Sequence, residues 1–555
     1  MSRRERLAAA LLFAALFALR VVYAFHLEFD SDEAQHLHVV WAWTQGLLPY
    51  RDVFDNHAPL FHLACSPVLR WIGERADILV LMRLVLLPVF ALALAAVAWL
   101  GRALFSARVG LWGAVLAGLW PEHFLTSLEF RPDGLWSALW FVGLAVLVSG
   151  RLRPTRCAAS GLVMGAALAV SLKTGLLLAA LALAAAIVLA LDARRAAVDA
   201  RRAAACAGAF ATGLLAIPMA VALGFTAVGA LESLLHDTVL HNLLPGAGLG
   251  PRALIVPAAL VPLGFLARTV VERSSDRAVG ARRALVLLSS ACFVVGLESF
   301  WPLLTPQDFL PFEPIAALFV AAALFGTRPA AAGVPRGGIA RRALAGLIVT
   351  AEITTLVAGH PPARDATGPQ IRLLGDVLRL TRPGETVMDL KGEMVYRPRA
   401  FHGVLESVTR ERLRRGLLAD RIPERLIETR TAVVANGSRF FPPRARAFMD
   451  TNYVSVGSLR VLGRMLEPAG PGMPAGPGGP DACVFTLAVP GRYAVVTGGG
   501  PAAGLLDRER YAGPRQLAAG PHLYLPAPGE GRVAAVWARA VESGYSPLPM
   551  ENQRP

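Results

Sequence analysis

The chain predicts a polytopic α-helical membrane protein with an exported α/β and β-rich tail, and three observations carry that expectation. Of its 555 residues, 55% are hydrophobic, and the mean hydropathy is +0.50, beyond the range of ordinary soluble domains. Apolar runs of about 17–25 residues, the length that crosses a bilayer, alternate with short polar loops through residues 1–358. Arginines gather in every second loop, as cytoplasmic loops do. The formal charge of +15 could suggest a nucleic-acid partner, but its scatter over short inter-span loops gives no basic binding face.

About eleven spans are expected, at 7–25, 78–100, 108–124, 134–150, 157–171, 175–192, 203–226, 252–271, 283–301, 308–326 and 340–358. Arg3, Arg4 and Arg6 precede the first. Arg102 and Arg108 follow the second, Arg151, Arg153 and Arg156 the fourth, and Arg194, Arg195, Arg201 and Arg202 the sixth. Arg268, Arg273, Arg277, Arg282 and Arg283 follow the eighth, and Arg328, Arg336, Arg341 and Arg342 the tenth. The N-terminus is therefore expected in the cytoplasm of a bacterial inner-membrane protein, with the chain beyond 359 on the periplasmic side. The basic head and apolar run at the start lack a small-residue cleavage site before Asp30, so they read as a retained helix. The run from Cys157 to Leu191 is broken only at Ser171, Lys173 and Gly175 and reads as two short helices meeting at the outer face.

The first outer loop, 26–77, is the largest between spans. Leu37, Val40, Trp41 and Thr44 recur at helical spacing, which predicts an amphipathic interface helix ended by Gly46 and turned by Pro49. A second such piece is expected over Leu60 to Ile72. In the tail, 359–466 alternates strand-like runs (Thr386–Leu390, Thr431–Ala435, Val454–Leu462) with helical stretches and reads as an α/β domain. Residues 467–480 form a Pro/Gly linker, and 481–555, with runs at Val484–Val489 and Tyr493–Val496, a small β-rich domain, which could contact glycan. Cys65, Cys157, Cys206, Cys292 and Cys483 are scattered and give neither a disulfide framework nor a metal spacing.

Asp30, Asp32 and Glu33 fall where the first span leaves the membrane, and ionisable groups there are costly enough to be functional candidates. Arg131 and Asp133 lie in the second outer loop, and Lys173, one of two lysines in the chain, in the third. In order and topological side, Asp32-Glu33, Gly46-Leu-Leu-Pro49-Tyr50-Arg51-Asp52, Asp55-Asn-His57-Ala-Pro59-Leu60, Arg131-Pro132-Asp133 and Lys173 resemble the GT-C integral-membrane glycosyltransferases. That group, which includes protein O-mannosyltransferases and the aminoarabinose transferases of lipid A, takes sugar from a polyprenyl phosphate. The resemblance covers about residues 1–360, with a weaker echo in the α/β part of the tail. It implies a GT-C fold, an inverting hexosyl- or pentosyltransferase, a polyprenyl-phosphate-sugar donor, and a glycan, lipid or protein acceptor. Many relatives have Lys-Pro-Pro where this chain has His57-Ala58-Pro59, so a lysine contact there is not carried over.

The chemistry is consistent with the residues themselves. A hydroxyl attacking an anomeric carbon must lose its proton, which a fixed carboxylate can take, and a departing phosphate needs cations where its charge develops. Asp32 is the expected base, with Glu33 orienting it or binding sugar hydroxyls. Lys173, Arg131 and Arg83 are candidate phosphate ligands, and Asp30, Tyr50, Asp52, Asp55, His57 and Asp133 further substrate-binding candidates.

Most have a plainer reading: Asp30 with Glu33 as a helix-capping pair, Arg131 with Asp133 as a loop-closing ion pair, Asp55 with His57 as a loop-stabilising cluster, Lys173 and Arg83 as snorkelling cations. His36, His38, His57, His62, His236 and His241 on outer loops match no metal spacing. No cofactor is required, and a divalent metal is left open. Two other functions stand beside transfer: a lipid-linked sugar transporter or flippase, and a non-catalytic membrane assembly subunit. Acids midway through several helices and inverted repeats would mark a transporter, whereas the acids here cluster at outer loops.

Overall fold

The computed structural model describes residues 1–548 apart from 193–199, 244–254, 273, 275, 302, 327–336, 438 and 469–480. Arg194, Arg195, Arg273, Arg328, Arg336 and most of the Pro/Gly linker, used above, lie outside the described residues. The chain divides into two compact units, Met1–Glu33 with Asn56–Pro67 and Leu79–Ala366, and Ala34–Asp55 with Val68–Ile78 and Thr367–Pro555.

The helices of the first unit follow the apolar runs. They are α1 (Arg3–His26), the first turn of α2 (Ser31–Thr44), the start of α3 (Leu60–Ile72), α4 (Ile78–Val85), α5 (Leu87–Leu104), α6 (Ala107–Leu119), α7 (Pro121–Thr126) and α8 (Pro132–Val148). Then come α9 (Pro154–Val170), α10 (Thr174–Asp192), α11 (Ala200–Ala227), α12 (Leu231–Leu235), a π-turn at His236–Leu240, α13 (Ile255–Glu272), α14 (Arg277–Phe300), α15 (Glu313–Phe325) and α16 (Gly337–Gly359). Every run expected to span contains one of these helices. By length and composition, five stretches among the described residues can cross a membrane unaided: Arg3–His26, Ile78–Leu104, Thr174–Leu191, Arg201–Ala227 and Arg277–Phe300. Others, such as α6, α8, α9 and α15, are apolar but run only 10–17 residues.

Small residues set the closest helix contacts. Gly161 and Gly165 of α9 form a G-x-x-x-G stripe against α11, where an added Cβ would sit 2.2 Å from the Phe210 carbonyl oxygen and 2.3 Å from that of Leu214. Polar side chains cross-brace the bundle. Arg20 is buried in α1, donates to the carbonyls of Phe124 and Ser127, and lies 3.8 Å over the Phe90 ring. The Tyr23 hydroxyl donates to the carbonyls of Leu356 and His360, tying α1 to the end of α16.

In the second unit the remaining helices are α17 (Gly368–Leu380), α18 (Ser407–Arg414), α19 (Ile422–Glu428), α20 (Pro443–Asn452) and α21 (Ala538–Glu542). One sheet orders strands β1 (Val387–Met388), β2 (Val433–Ala435), β4 (Leu459–Leu466), β12 (Val533–Trp537), β6 (Gly491–Thr497) and β10 (Arg515–Leu517), with β3 (Tyr453–Val456) beside β4 and β7 (Gly500–Pro501) beside β6. β1 and β2 are parallel; β4 pairs antiparallel with β12, Val533 opposite Leu466. That ladder joins strands from both sides of the linker in one sheet, so 359–466 and 481–555 share a hydrogen-bonded layer instead of standing as two pieces. Alternate residues of β12 serve two cores: Val533 and Ala535 pack with Tyr493 and Tyr524, Ala534 and Val536 with Val461 and Val496. A second sheet orders β5 (Cys483–Leu487), β11 (Gly520–Leu525), β8 (Leu505–Leu506) and β9 (Glu509–Arg510).

Two local expectations change. The run Val454–Leu462 is a hairpin, β3 and β4, turned at Gly457 with φ +55°. The helix α2 is not an interface helix: Ala34 to Ala42 are all buried. Within the second unit His38 hydrogen-bonds through Nδ1 to the Val395 carbonyl at 2.6 Å and stacks on Trp41 at 5.4 Å. Tail residues therefore cover the face that the helical spacing suggested was free. The second piece does keep an exposed apolar stripe, with Leu63, Ala64, Pro67 and Trp71 outward on α3.

Candidate functional site

The first unit gathers its charges where α1, α2, α8 and the turn before α10 meet. The chain leaves α1 at Leu27 and caps α2 as a capping box: the Asp30 carboxylate accepts from the Asp32 N–H at 2.8 Å, and Glu33 Oε1 accepts from the Asp30 N–H at 3.0 Å. Glu33 is fully buried, and every other contact it makes is also internal. Arg83 donates Nε to Oε2 at 2.8 Å and Nη2 to Oε1 at 2.5 Å, and the Phe130 N–H donates to Oε2 at 2.7 Å. The other Arg83 hydrogen bonds go to the Leu27 and Glu28 carbonyls. Arg83 is thus a buried partner of Glu33 and not a snorkelling cation, because a carboxylate fifty residues earlier in the chain is folded against it.

Arg131, the residue before α8, sits among carboxylates. Its Nη1 lies 2.9 Å from Asp32 Oδ2 and 3.0 Å from Asp30 Oδ1, and its Nε lies 3.3 Å from Asp133 Oδ2 and 3.8 Å from Glu129 Oε2. Burial alone would depress its pKa, but Asp133, Asp32, Glu129 and Asp30 together raise it. Asp32 is the more open acid of the α2 turn beside Glu33: 25% of its side chain is exposed, against none of Glu33's.

Lys173 lies in the break between α9 and α10. Its Nζ is 2.5 Å from Asp308 Oδ1 and 3.2 Å from Asp133 Oδ1, and 5.6 Å from the Trp136 ring centroid. Burial would lower this ammonium's pKa, but the two carboxylates outweigh it and hold it raised. Asp308 is fixed in turn by a capping box with Thr305, whose N–H donates to Asp308 Oδ2 at 2.8 Å.

Three of these groups were not singled out in the sequence: Asp308, Gln307 and Glu129. Gln307 Nε2 donates to Glu129 Oε2 at 2.7 Å. Burial, only partly offset by Arg131, pushes the Glu129 carboxyl up to about 8, so it is largely neutral at neutral pH. The carboxylates converge on protein cations, and among the described residues no three His, Cys, Asp or Glu side chains are grouped as metal ligands.

The remaining candidates are dispersed. His57, half-buried in the first unit, is the exception: against the effect of burial, it helps Lys173 and Arg131 lower the pKa of Asp133. Tyr50, Asp52 and Asp55 belong to the second unit. There Tyr50 is buried at φ 72°, an uncommon conformation for a non-glycine residue, with its N–H on the Val53 carbonyl at 2.7 Å. Asp52 accepts from the Leu48 N–H at 2.9 Å and pairs with Arg51, closing the same turn. Asp55 is fully buried.

No family model and no curated protein matches the chain. Solved structures do. ArnT from Cupriavidus metallidurans bound to undecaprenyl phosphate matches at a TM-score of 0.54 and 12% identity, over 82% of this chain and 97% of that one. Its apo form matches at 0.54 and 13%, over 81% and 97%. The chain carries the GT-C fold. The archaeal oligosaccharyltransferase from Archaeoglobus fulgidus, crystallised with zinc and sulfate, matches more loosely, at 0.46 and 13% over 80% and 73%. Within this fold the sequence-predicted Asp30, Asp32, Arg131, Asp133 and Lys173 form one network of ion pairs, with Asp308 and Glu129 added to it. The Glu33–Arg83 pair stands beside it, joined through the Asp30 N–H that donates to Glu33 Oε1.

Proposed function

We propose that this chain is an inverting membrane glycosyltransferase that moves a sugar from a polyprenyl-phosphate donor to an acceptor hydroxyl on the outer face of a bacterial inner membrane. The observation that carries this reading is a partly exposed carboxylate, Asp32, bridged through Arg131 and Asp133 to a partly exposed cation, Lys173, within the GT-C fold. ArnT, whose fold it shares, has been crystallised with undecaprenyl phosphate.

In the proposed step the acceptor oxygen attacks the anomeric carbon as the bond from that carbon to the phosphate oxygen breaks. The hydroxyl proton passes to Asp32, and the leaving phosphate takes the bonding electrons. In this reading Lys173 and Arg131 are the cations that meet that growing negative charge. Glu33 has its oxygens turned inward, so its proposed role is to fix the α2 turn through Arg83 and Phe130, not to touch sugar.

The test is transfer from a lipid-linked sugar identified by mass spectrometry of the purified protein. Asp32→Asn should lower turnover about 10²–10⁴-fold, the usual loss for one proton-transfer group, while donor binding persists. The cap of α2 is made by Asp30 and Glu33, so this substitution leaves the helix start intact. Near-normal transfer by Asp32→Asn therefore refutes the base assignment.

A further inference from the structure

A cavity of about 480 Å³ opens at the other end of the first unit, among the starts of α1 and α6, the end of α15, and α16. Its walls divide by chemistry. Arg108 Nε lies 2.5 Å from Glu5 Oε1, and the Trp112 indole N–H donates to the same oxygen at 3.0 Å, so the one acid in the lining is already satisfied. Arg4, also in the lining, is exposed and forms no ion pair among the described residues. One cationic charge is left over. The floor is apolar: Trp112 stacks on Phe325 with ring centroids 5.0 Å apart at 16°. On the α16 side, a Cβ added to Gly346 would meet nothing within 4 Å.

A pocket with a spare arginine at its mouth and a stacked aromatic floor matches an amphiphile with an anionic head. The arginines of the expected cytoplasmic loops, Arg3, Arg4, Arg6, Arg102 and Arg108, gather at this end of the bundle, the level of a lipid headgroup. We propose that this cavity binds one anionic glycerophospholipid, its phosphate at Arg4 and an acyl chain along Trp112 and Phe325. The inference is independent of the transferase reading, since none of these residues belongs to the Asp32–Lys173 network.

The experiment is native mass spectrometry of the delipidated full-length protein, titrated with phosphatidylglycerol or phosphatidylcholine of matched chains. About 1 kcal/mol per arginine near a lipid surface corresponds to a preference of about fivefold for the anionic lipid. Arg4→Glu should abolish that preference while leaving the fold intact, because the side chain is exposed. Gly346→Phe fills the cavity and should remove binding of both lipids without lowering the melting temperature in detergent. Equal binding of the two lipids by the unaltered protein overturns the proposal, and so does unchanged phosphatidylglycerol binding in the two variants.

Discussion

Replacing Lys173 by Met should destabilise the bundle and, in the same stroke, weaken binding of polyprenyl phosphate. The size of the first effect follows from its partners. The ammonium touches two carboxylates that keep 1% and 5% of their side-chain surface, Asp308 and Asp133. Removing one member of a buried ion pair typically costs about 3–5 kcal/mol, because the other charge is left without compensation. Neutralising Asp308 as well should return part of that loss, so the cycle of Lys173→Met, Asp308→Asn and the double variant should show a coupling of about 1–3 kcal/mol. Denaturant unfolding followed by tryptophan fluorescence suits the measurement, since Trp136 lies 5.6 Å from Nζ. The binding arm has a sign that snorkelling does not predict. Asp308→Asn alone should tighten polyprenyl phosphate, because it removes a competitor for the ammonium. A Lys173→Met protein as stable as the original, or an Asp308→Asn protein with weaker phosphate binding, would refute the reasoning.

Three further outcomes are expected. Glu33→Gln should cost about 3–5 kcal/mol by stranding Arg83, with expression falling further than in Asp32→Asn; comparable expression of the two would remove the distinction drawn between them. Glu129 is raised from 4.5 to about 8, so the folded protein holds a proton that the unfolded chain has released, and stability should fall as pH rises through that window. Glu129→Gln should flatten that slope in pH-dependent melting, and an unchanged slope would contradict the assignment. In a cysteine-free background, which replaces the five buried native thiols, a cysteine at the exposed Leu417 should react with an impermeant reagent in intact cells, and one at Arg151 should not. Reversed labelling would invert the topology.

How much of this was legible in the sequence depended on the range of the interaction. Helix positions follow from local hydropathy, and all eleven apolar runs contain helices. The acids at 30–33 and the Arg131-Pro-Asp133 motif stood out because charge is rare at a membrane edge. Asp308 does not, since it lies just ahead of an apolar run and hydropathy places it at the start of the span 308–326. The helix begins only at Glu313, after the Thr305–Asp308 capping box. Glu129 was hidden for a different reason: a lone glutamate carries no period, and its raised pKa comes from burial that only the packed α8 entrance creates. The burial of Arg83 and the pairing of β4 with β12 both depend on partners distant in the chain. No sliding window reports them.

The network around Arg131 and Lys173 is, by formal charge, an acidic one: Asp30, Asp32, Glu129, Asp133 and Asp308 face Arg131 and Lys173. Even with Glu129 neutral, acids outnumber cations. A phosphate entering here meets no empty cationic bowl; it must trade places with carboxylates tethered to the same scaffold. Tethered rivals act at a high effective concentration, and they return as soon as the guest loosens its hold. On the transferase reading, the spent lipid phosphate carries more negative charge than the sugar-bearing donor and would otherwise be the tighter ligand. The built-in carboxylates then work as an ejector, keeping the site from stalling on its own product.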